Sequence, residues 1–276
     1  MGICTIPQSI SPVVDDLLPL LRRLFDGRYA IAVGGSVGKK RSDRLSDIDF
    51  RTYYDSWIRD ETALERTKSE LAQKMAAWKE RGITIDGYWP RRIGDIDRRL
   101  DGILAGTDIA PEPQFWTIWG YHLPVDIANN LVIEDPSGIV VSWKKRLSVY
   151  PAALKRVILA EGLTEVRYWR GDYHYRSKVE RGDPLFCMGL AVKLVHTLVR
   201  IVFALNETWY PGDGRNLEAL EELPFLPRDF TRTIDRILFP DGGREGIWEQ
   251  YRLVRKLVDG VDELVKEKGQ EPGTGD

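Results

Sequence analysis

Residues 185–205, LFCMGLAVKLVHTLVRIVFAL, are the longest apolar stretch of the 276-residue chain, and they limit the folds open to it. Lys193, His196 and Arg200 interrupt the run. Three polar groups in one span argue against a membrane helix and for a buried helix of a soluble protein. Its start is marked by Asp183 as N-cap and Pro184 at the first helical position. His196 reads as a satisfied core histidine. Downstream, PGDGRN (211–216) is a turn, and residues 246–269 form a closing amphipathic helix that Gly260 is expected to interrupt. The last residues are expected to fray.

The first half has a different texture. SPVVDDLLPLLRRLFDG (11–27) reads as a helix with Ser11 as N-cap, Pro12 at N1 and Gly27 at its end. YAIAV and IDFRTYY then read as strands, with a short helix between them. Residues 59–82 are strongly helical, with Leu64, Leu71, Met75 and Trp78 near one stripe. ITIDGYW is a third strand. The pattern predicts an α+β fold, with a small mixed-sheet domain over 1–145 and a helical domain over 146–276.

Acids and bases nearly cancel, at 42 against 40, whereas a dedicated nucleic-acid binder carries a basic surplus. Cys4 and Cys187 lie far apart without metal-ligand spacing, which fits a reducing cytoplasm. His122, His174 and His196 form no zinc-type pair. No signal peptide is read at the N-terminus, and Ile6 stands where myristoylation after Gly2 needs a hydroxyl residue. The expectation is a cytoplasmic protein with no membrane segment.

Chemistry concentrates in AVGGSVGKKRSDRLSDIDFRTYYD (32–55). Residues i and i+2 of a strand share a face, so Asp47 and Asp49 project together while Ile48 and Phe50 point to the core. Two adjacent carboxylates repel unless a cation lies between them, and Mg²⁺ takes a few protein oxygens supplemented by water and phosphate. The turn Gly34-Gly35-Ser36 lets backbone N–H groups approach an anion, and a helix starting there would face it with its positive end. Lys39, Lys40, Arg41 and Arg44 add charge in the same loop. These parts describe a site for a metal-bound polyphosphate. Asp95-Ile96-Asp97 repeats the tripeptide, but no glycine turn precedes it and Arg98-Arg99-Leu100 continues it as a helix.

VGGS followed by SDIDF resembles the signature of the DNA polymerase β-like nucleotidyltransferase superfamily, with Gly35, Ser36, Asp47 and Asp49 at its positions. The resemblance covers roughly residues 29–90. The second half is similar in layout to the helical domains of bacterial antibiotic (aminoglycoside- and lincosamide-type) nucleotidyltransferases. DGYW, WGYH and YPGDG resemble an uncharacterised bacterial group of the superfamily. The resemblance implies a Mg²⁺-dependent transfer of a nucleoside monophosphate, with ATP or another triphosphate as donor and two metal ions. Asp47 and Asp49 hold the metals, while Gly35, Ser36, Lys39 and Arg44 meet the phosphates. It also implies a third carboxylate on a neighbouring strand. Asp86 in ITIDGYW is the first choice, although Asp-Gly is a common turn pair. Asp126 in LPVDIANN is the rival, as ligand, helix cap or base, and Glu112 is a further candidate base.

YWRGDYHYRSKVERGD (168–183) interleaves Arg170, Arg176, Lys178 and Arg181 with aromatics. One reading stacks a nucleobase on Tyr175 with Arg176 and Lys178 at the phosphates. The other is a helix with buried aromatics and solvated charges. An acceptor pocket is expected between the halves, lined by Tyr173, Tyr175, Arg176 or Lys178, or else by Trp116 and Trp119. A small-molecule acceptor is favoured. A tRNA end, a protein hydroxyl, or a non-catalytic, antitoxin-like module of the same fold are the alternatives.

Overall fold

The computed structural model describes Pro7 and residues 10–44, 46–108, 122–212 and 214–269. The fold is α+β, a small mixed sheet with flanking helices followed by a helical region. Two compact units are present. Among the described residues the first runs to Gly102 and takes up Leu123–Val149, and the second begins at Ile103 and continues from Tyr150. The single division expected after residue 145 is therefore displaced. Ile103 is buried among Tyr150, Leu154 and Ile158 in the helical core, which draws the end of its own helix into that unit.

The first unit opens with α1 (Ser11–Arg22) and β1 (Phe25–Val33). Helix α1 stops before Gly27, which lies inside β1 at a positive φ where the register with the next strand shifts. Its cap position is Ile10, and Ser11 is already helical. The one-turn α2 (Gly35–Gly38) leads to β2 (Ile48–Trp57), α3 (Glu61–Glu80), β3 (Ile85–Gly87) and β4 (Pro90–Arg92). There follow α4 (Ile93–Ala105), α5 (His122–Asn129), β5 (Leu131–Glu134) and α6 (Ile139–Leu147). The sheet order is β3-β2-β1-β5, with β4 also on β2. Strand β1 is antiparallel to β2 and β5, whereas β3 and β4 run parallel to β2 and follow each other along it.

Alternation along β2 sorts its side chains by face. Ile48, Phe50 and Tyr54 join Ile31, Val33 and the apolar stripe of α1 in one core, with Leu71 of α3. Asp49, Arg51 and Tyr53 point to the other face, where the Tyr53 ring meets Trp143 of α6 edge-on at 5.0 Å. The second Asp-Ile-Asp lies on α4 as expected. Asp97 accepts a hydrogen bond from Trp143 Nε1 at 2.7 Å, and Asp95 pairs with Arg98.

The second unit comprises α7 (Ala152–Gly171), α8 (Tyr173–Arg181), α9 (Pro184–Leu205), α10 (Asn216–Glu221), α11 (Phe230–Leu238) and α12 (Gly243–Gly269). Helix α9 is long and apolar enough to cross a bilayer, yet 56% of its apolar window is buried within the protein. It is the unit's central helix, packed by α7 and α12, with Asp183 capping it through the Phe186 N–H at 3.2 Å. Three of its polar residues have partners: Lys193 and Thr197 with Glu165, and His196 with the Tyr210 hydroxyl at 2.8 Å. Gly260 does not interrupt α12. A Cβ there would lie 3.3 Å from Pro227 Cβ, so the glycine lets the helix pass close to that proline.

Candidate metal centre

Asp47 precedes β2, Asp49 is its second residue, and Asp86 is the middle residue of β3. Parallel pairing sets Ile48 opposite Ile85 and Asp49 opposite Gly87, which brings Asp86 beside the pair. One carboxylate oxygen from each of the three lies within 4.8 Å of the others. Asp47 and Asp49 are half-buried and Asp86 is exposed. Trp89, at a φ of 33°, donates from Nε1 to Asp86 at 3.2 Å.

The glycine turn is fixed to the same strand. Gly34 N–H donates to the Asp49 carbonyl at 2.9 Å. Gly35, at a φ of 57°, passes so close to the Asp49 carboxylate that a Cβ would collide with it. The first intrahelical bond of α2 is from Gly38 to Gly34, so the N–H groups of Gly35, Ser36 and Val37 have no acceptor within the helix. The Ser36 hydroxyl is buried and has no hydrogen-bond partner among the described residues. Lys39 caps the end of this turn, and Arg44 lies exposed in the loop that leads to Asp47.

Burial raises the Asp49 carboxyl above its ordinary range. Arg51 opposes that rise, and the charges of Asp47 and Asp86 add to it. A cation among the three acids would relieve the repulsion. The donor set, three carboxylates without sulfur or imidazole, fits a hard cation of the Mg²⁺ kind.

Asp126 is not part of this group. It is 3% exposed on α5 and accepts from Arg51 Nε at 2.7 Å and Arg91 Nη1 at 3.2 Å. Held between two guanidinium groups, it is an ion-pair anchor and not a third ligand beside Asp49. The Arg51 Nη1 reaches Asp49 Oδ1 at 3.4 Å. Burial works against the Arg51 charge, but Asp126 and Asp49 more than offset it and raise its pKa. Asn130 completes this buried layer by donating to the Tyr53 hydroxyl at 2.7 Å.

A family model described as a domain of unknown function (DUF4037) matches residues 121–214. The match begins after the three aspartates and takes in Asp126, Asn130 and all of α9. No curated protein matches the chain.

The 168–183 segment divides between its two readings: Tyr168 and Tyr173 are exposed, whereas Tyr175 is buried. Tyr175 is buried in the helical core, edge-on to Tyr251 at 4.9 Å, so its ring is closed to a nucleobase. Arg176 pairs with Glu180 one turn on, and Lys178 lies over the Phe186 ring at 5.5 Å. Glu112, Trp116 and Trp119 fall outside the described residues. Arg51, Arg91, Asn130 and Tyr53 are what the sequence reading missed. For Arg51 a signal existed, since it follows Asp49 at i+2 and so shares its face. Tyr53 continues the same face two residues on, whereas Arg91 and Asn130 become neighbours only through contacts spanning 35 and 77 residues.

Proposed function

We propose that this chain is a Mg²⁺-dependent nucleotidyltransferase. It would move a nucleoside monophosphate, AMP first among them, from a triphosphate to a hydroxyl or phosphate of a small molecule, with release of pyrophosphate. The observation that carries the reading is the convergence of Asp47, Asp49 and Asp86 on adjacent strands, beside the turn that presents Gly35 and Ser36. The unpartnered Ser36 hydroxyl fits a phosphate oxygen as its acceptor.

In this reading Asp47, Asp49 and Asp86 hold the metal. When bound, Mg²⁺ supplies charge stabilisation to the attacking and leaving oxygens of an in-line displacement. Gly35 and Ser36 bind the β- and γ-phosphates through backbone N–H groups, and Ser36 adds its hydroxyl. Arg51 lies beside Asp49 and is paired with Asp126. The near-neutral balance of 40 bases and 42 acids offers no broad surface for a polynucleotide, which favours a small acceptor, and the two widely spaced cysteines fit a cytoplasmic setting.

The test incubates the full chain and Mg²⁺ with α-labelled ATP, GTP, CTP or UTP and a cell extract, then measures pyrophosphate and identifies the labelled species. Label should pass to a small molecule from one preferred triphosphate. Asp47→Asn and Asp49→Asn should each lose about 100- to 1,000-fold in rate without a lower melting temperature. No transfer from any of the four, or wild-type rates in both variants, would refute the proposal.

A further inference from the structure

A cation is already built into the fold next to the three aspartates. Arg51 lies on the central strand, opposite Ala32 of β1, and is 5% exposed. Its guanidinium is shared unequally, with Asp126 at 2.7 Å and Asp49 at 3.4 Å. The backbone closes over this arrangement. A Cβ at Gly34 would stand 2.6 Å from Asp126 Oδ1 and 3.0 Å from Arg51 Nε. The guanidinium is thus held by strand, helix and turn together, with its shorter bond to Asp126 and its longer one to Asp49.

We propose that Arg51 sets the divalent-cation affinity of the three-aspartate site, and that Asp126 acts in the opposite sense by neutralising Arg51 and holding it back from Asp49. The inference rests on the metal-centre reading above. A metal ion on Asp49 meets the positive field of Arg51 a few ångströms away, where unit charges interact appreciably even under strong screening. A bare cation is therefore penalised. A cation that arrives on a triphosphate brings negative charges that offset Arg51, so the arrangement favours filling the site by the metal–nucleotide complex. Arg51 is here a positioning residue that acts through Asp49.

Isothermal titration of the full chain with Mn²⁺ alone decides it. Arg51→Gln keeps an amide donor for Asp126 and removes the charge, and it should bind Mn²⁺ about tenfold more tightly. Asp126→Asn leaves the guanidinium charge uncompensated and should bind about tenfold more weakly. A purely structural role for the pair would weaken binding in both variants, so the tightening in Arg51→Gln is the discriminating sign. Unchanged or weaker binding by a folded Arg51→Gln overturns the proposal, as does unchanged or tighter binding by Asp126→Asn. If Arg51→Gln fails to fold, the double variant Arg51→Gln/Asp126→Asn, which removes both charges of the pair, takes its place. It should bind Mn²⁺ about tenfold more tightly than Asp126→Asn, and binding as weak as that of Asp126→Asn overturns the proposal. Loss of folding in both single variants assigns the pair to the scaffold and also overturns it. Wild-type protein that binds Mn²⁺ neither alone nor together with a non-hydrolysable nucleoside triphosphate analogue refutes the metal centre itself, whereas wild-type binding with unresponsive variants refutes only the role of Arg51.

Discussion

Strand β2 and helix α9 are each the central element of their unit, and their interiors are filled in opposite ways. The buried residues of α9 are apolar apart from Thr197, which donates to the same Glu165 that pairs with Lys193. On β2, Arg51 is buried against Asp126, with Asp49 and Asn130 alongside. Buried ion pairs are costly to desolvate and are often replaceable by apolar residues of similar size without loss of stability. A chain able to build the α9 core had that option at β2. The charge kept at β2 lies on the face that also carries Asp49, so the two interiors differ where the candidate metal centre stands.

Mutations should break the two interiors with similar energy and different consequences. Asp126→Ala strands Arg51 and Arg91 and should cost about 3–5 kcal/mol. Leu198→Ala in α9 should cost about 2–5 kcal/mol through its cavity. Hydrogen exchange reads each unit separately: the first change should unprotect β1 and β2, the second α7, α9 and α12. Only Asp126→Ala should alter Mn²⁺ affinity. A cost below about 1 kcal/mol for Asp126→Ala would erase the contrast, because an uncompensated buried charge is expected to cost more.

Acid should sharpen the comparison on the helical side. Burial lowers the pKa of His196 to about 4, against 6.5 for a free histidine. Between those values the unfolded chain binds more protons than the folded one, so stability falls as pH drops from 6.5 toward 4. The loss should be on the order of 2 kcal/mol. His196→Gln removes this step, so the gap between variant and wild type in thermal melts should shrink or invert between pH 7 and pH 4.5, a range chosen to span about two pH units of the titration. A constant gap would show that His196 does not titrate there.

The smallest effect belongs to α8. Arg176→Ala removes an exposed pair with Glu180 and should change stability by less than about 0.5 kcal/mol. It should also leave Mn²⁺ affinity unchanged. A shift of tenfold in that affinity would place α8 in the site after all.

Local patterns carried much of this into the sequence. The two-residue period put Asp47 and Asp49 together, and the strand after one helix brought Asp86 to them, because short-range alternation and parallel pairing leave little choice. Asp183-Pro184 marked the start of α9 for an equally local reason. What stayed hidden depends on distant partners. Asp126 reads as a helix residue until Arg51, 75 positions earlier, is seen against it. Tyr175 looked available because an aromatic among charges on a helix does not declare which side is buried. Gly260 looked like a break, and only Pro227 shows that it is a packing site.

The notch at Gly34 ties four positions from three elements into one inherited unit. A Cβ there would collide with Asp126 at 2.6 Å and press on Arg51 and Asn130 at 3.0 Å, so a side chain at residue 34 requires the carboxylate of Asp126 to move. Change must then arrive as a coordinated set, with a bulkier residue at 34 following the loss of the buried pair. In lineages descended from this chain, glycine at 34 and the ion pair at 51 and 126 should be kept or lost together. The glycine thereby becomes a record, readable from sequence alone, of whether the cation beside the aspartates is still in place.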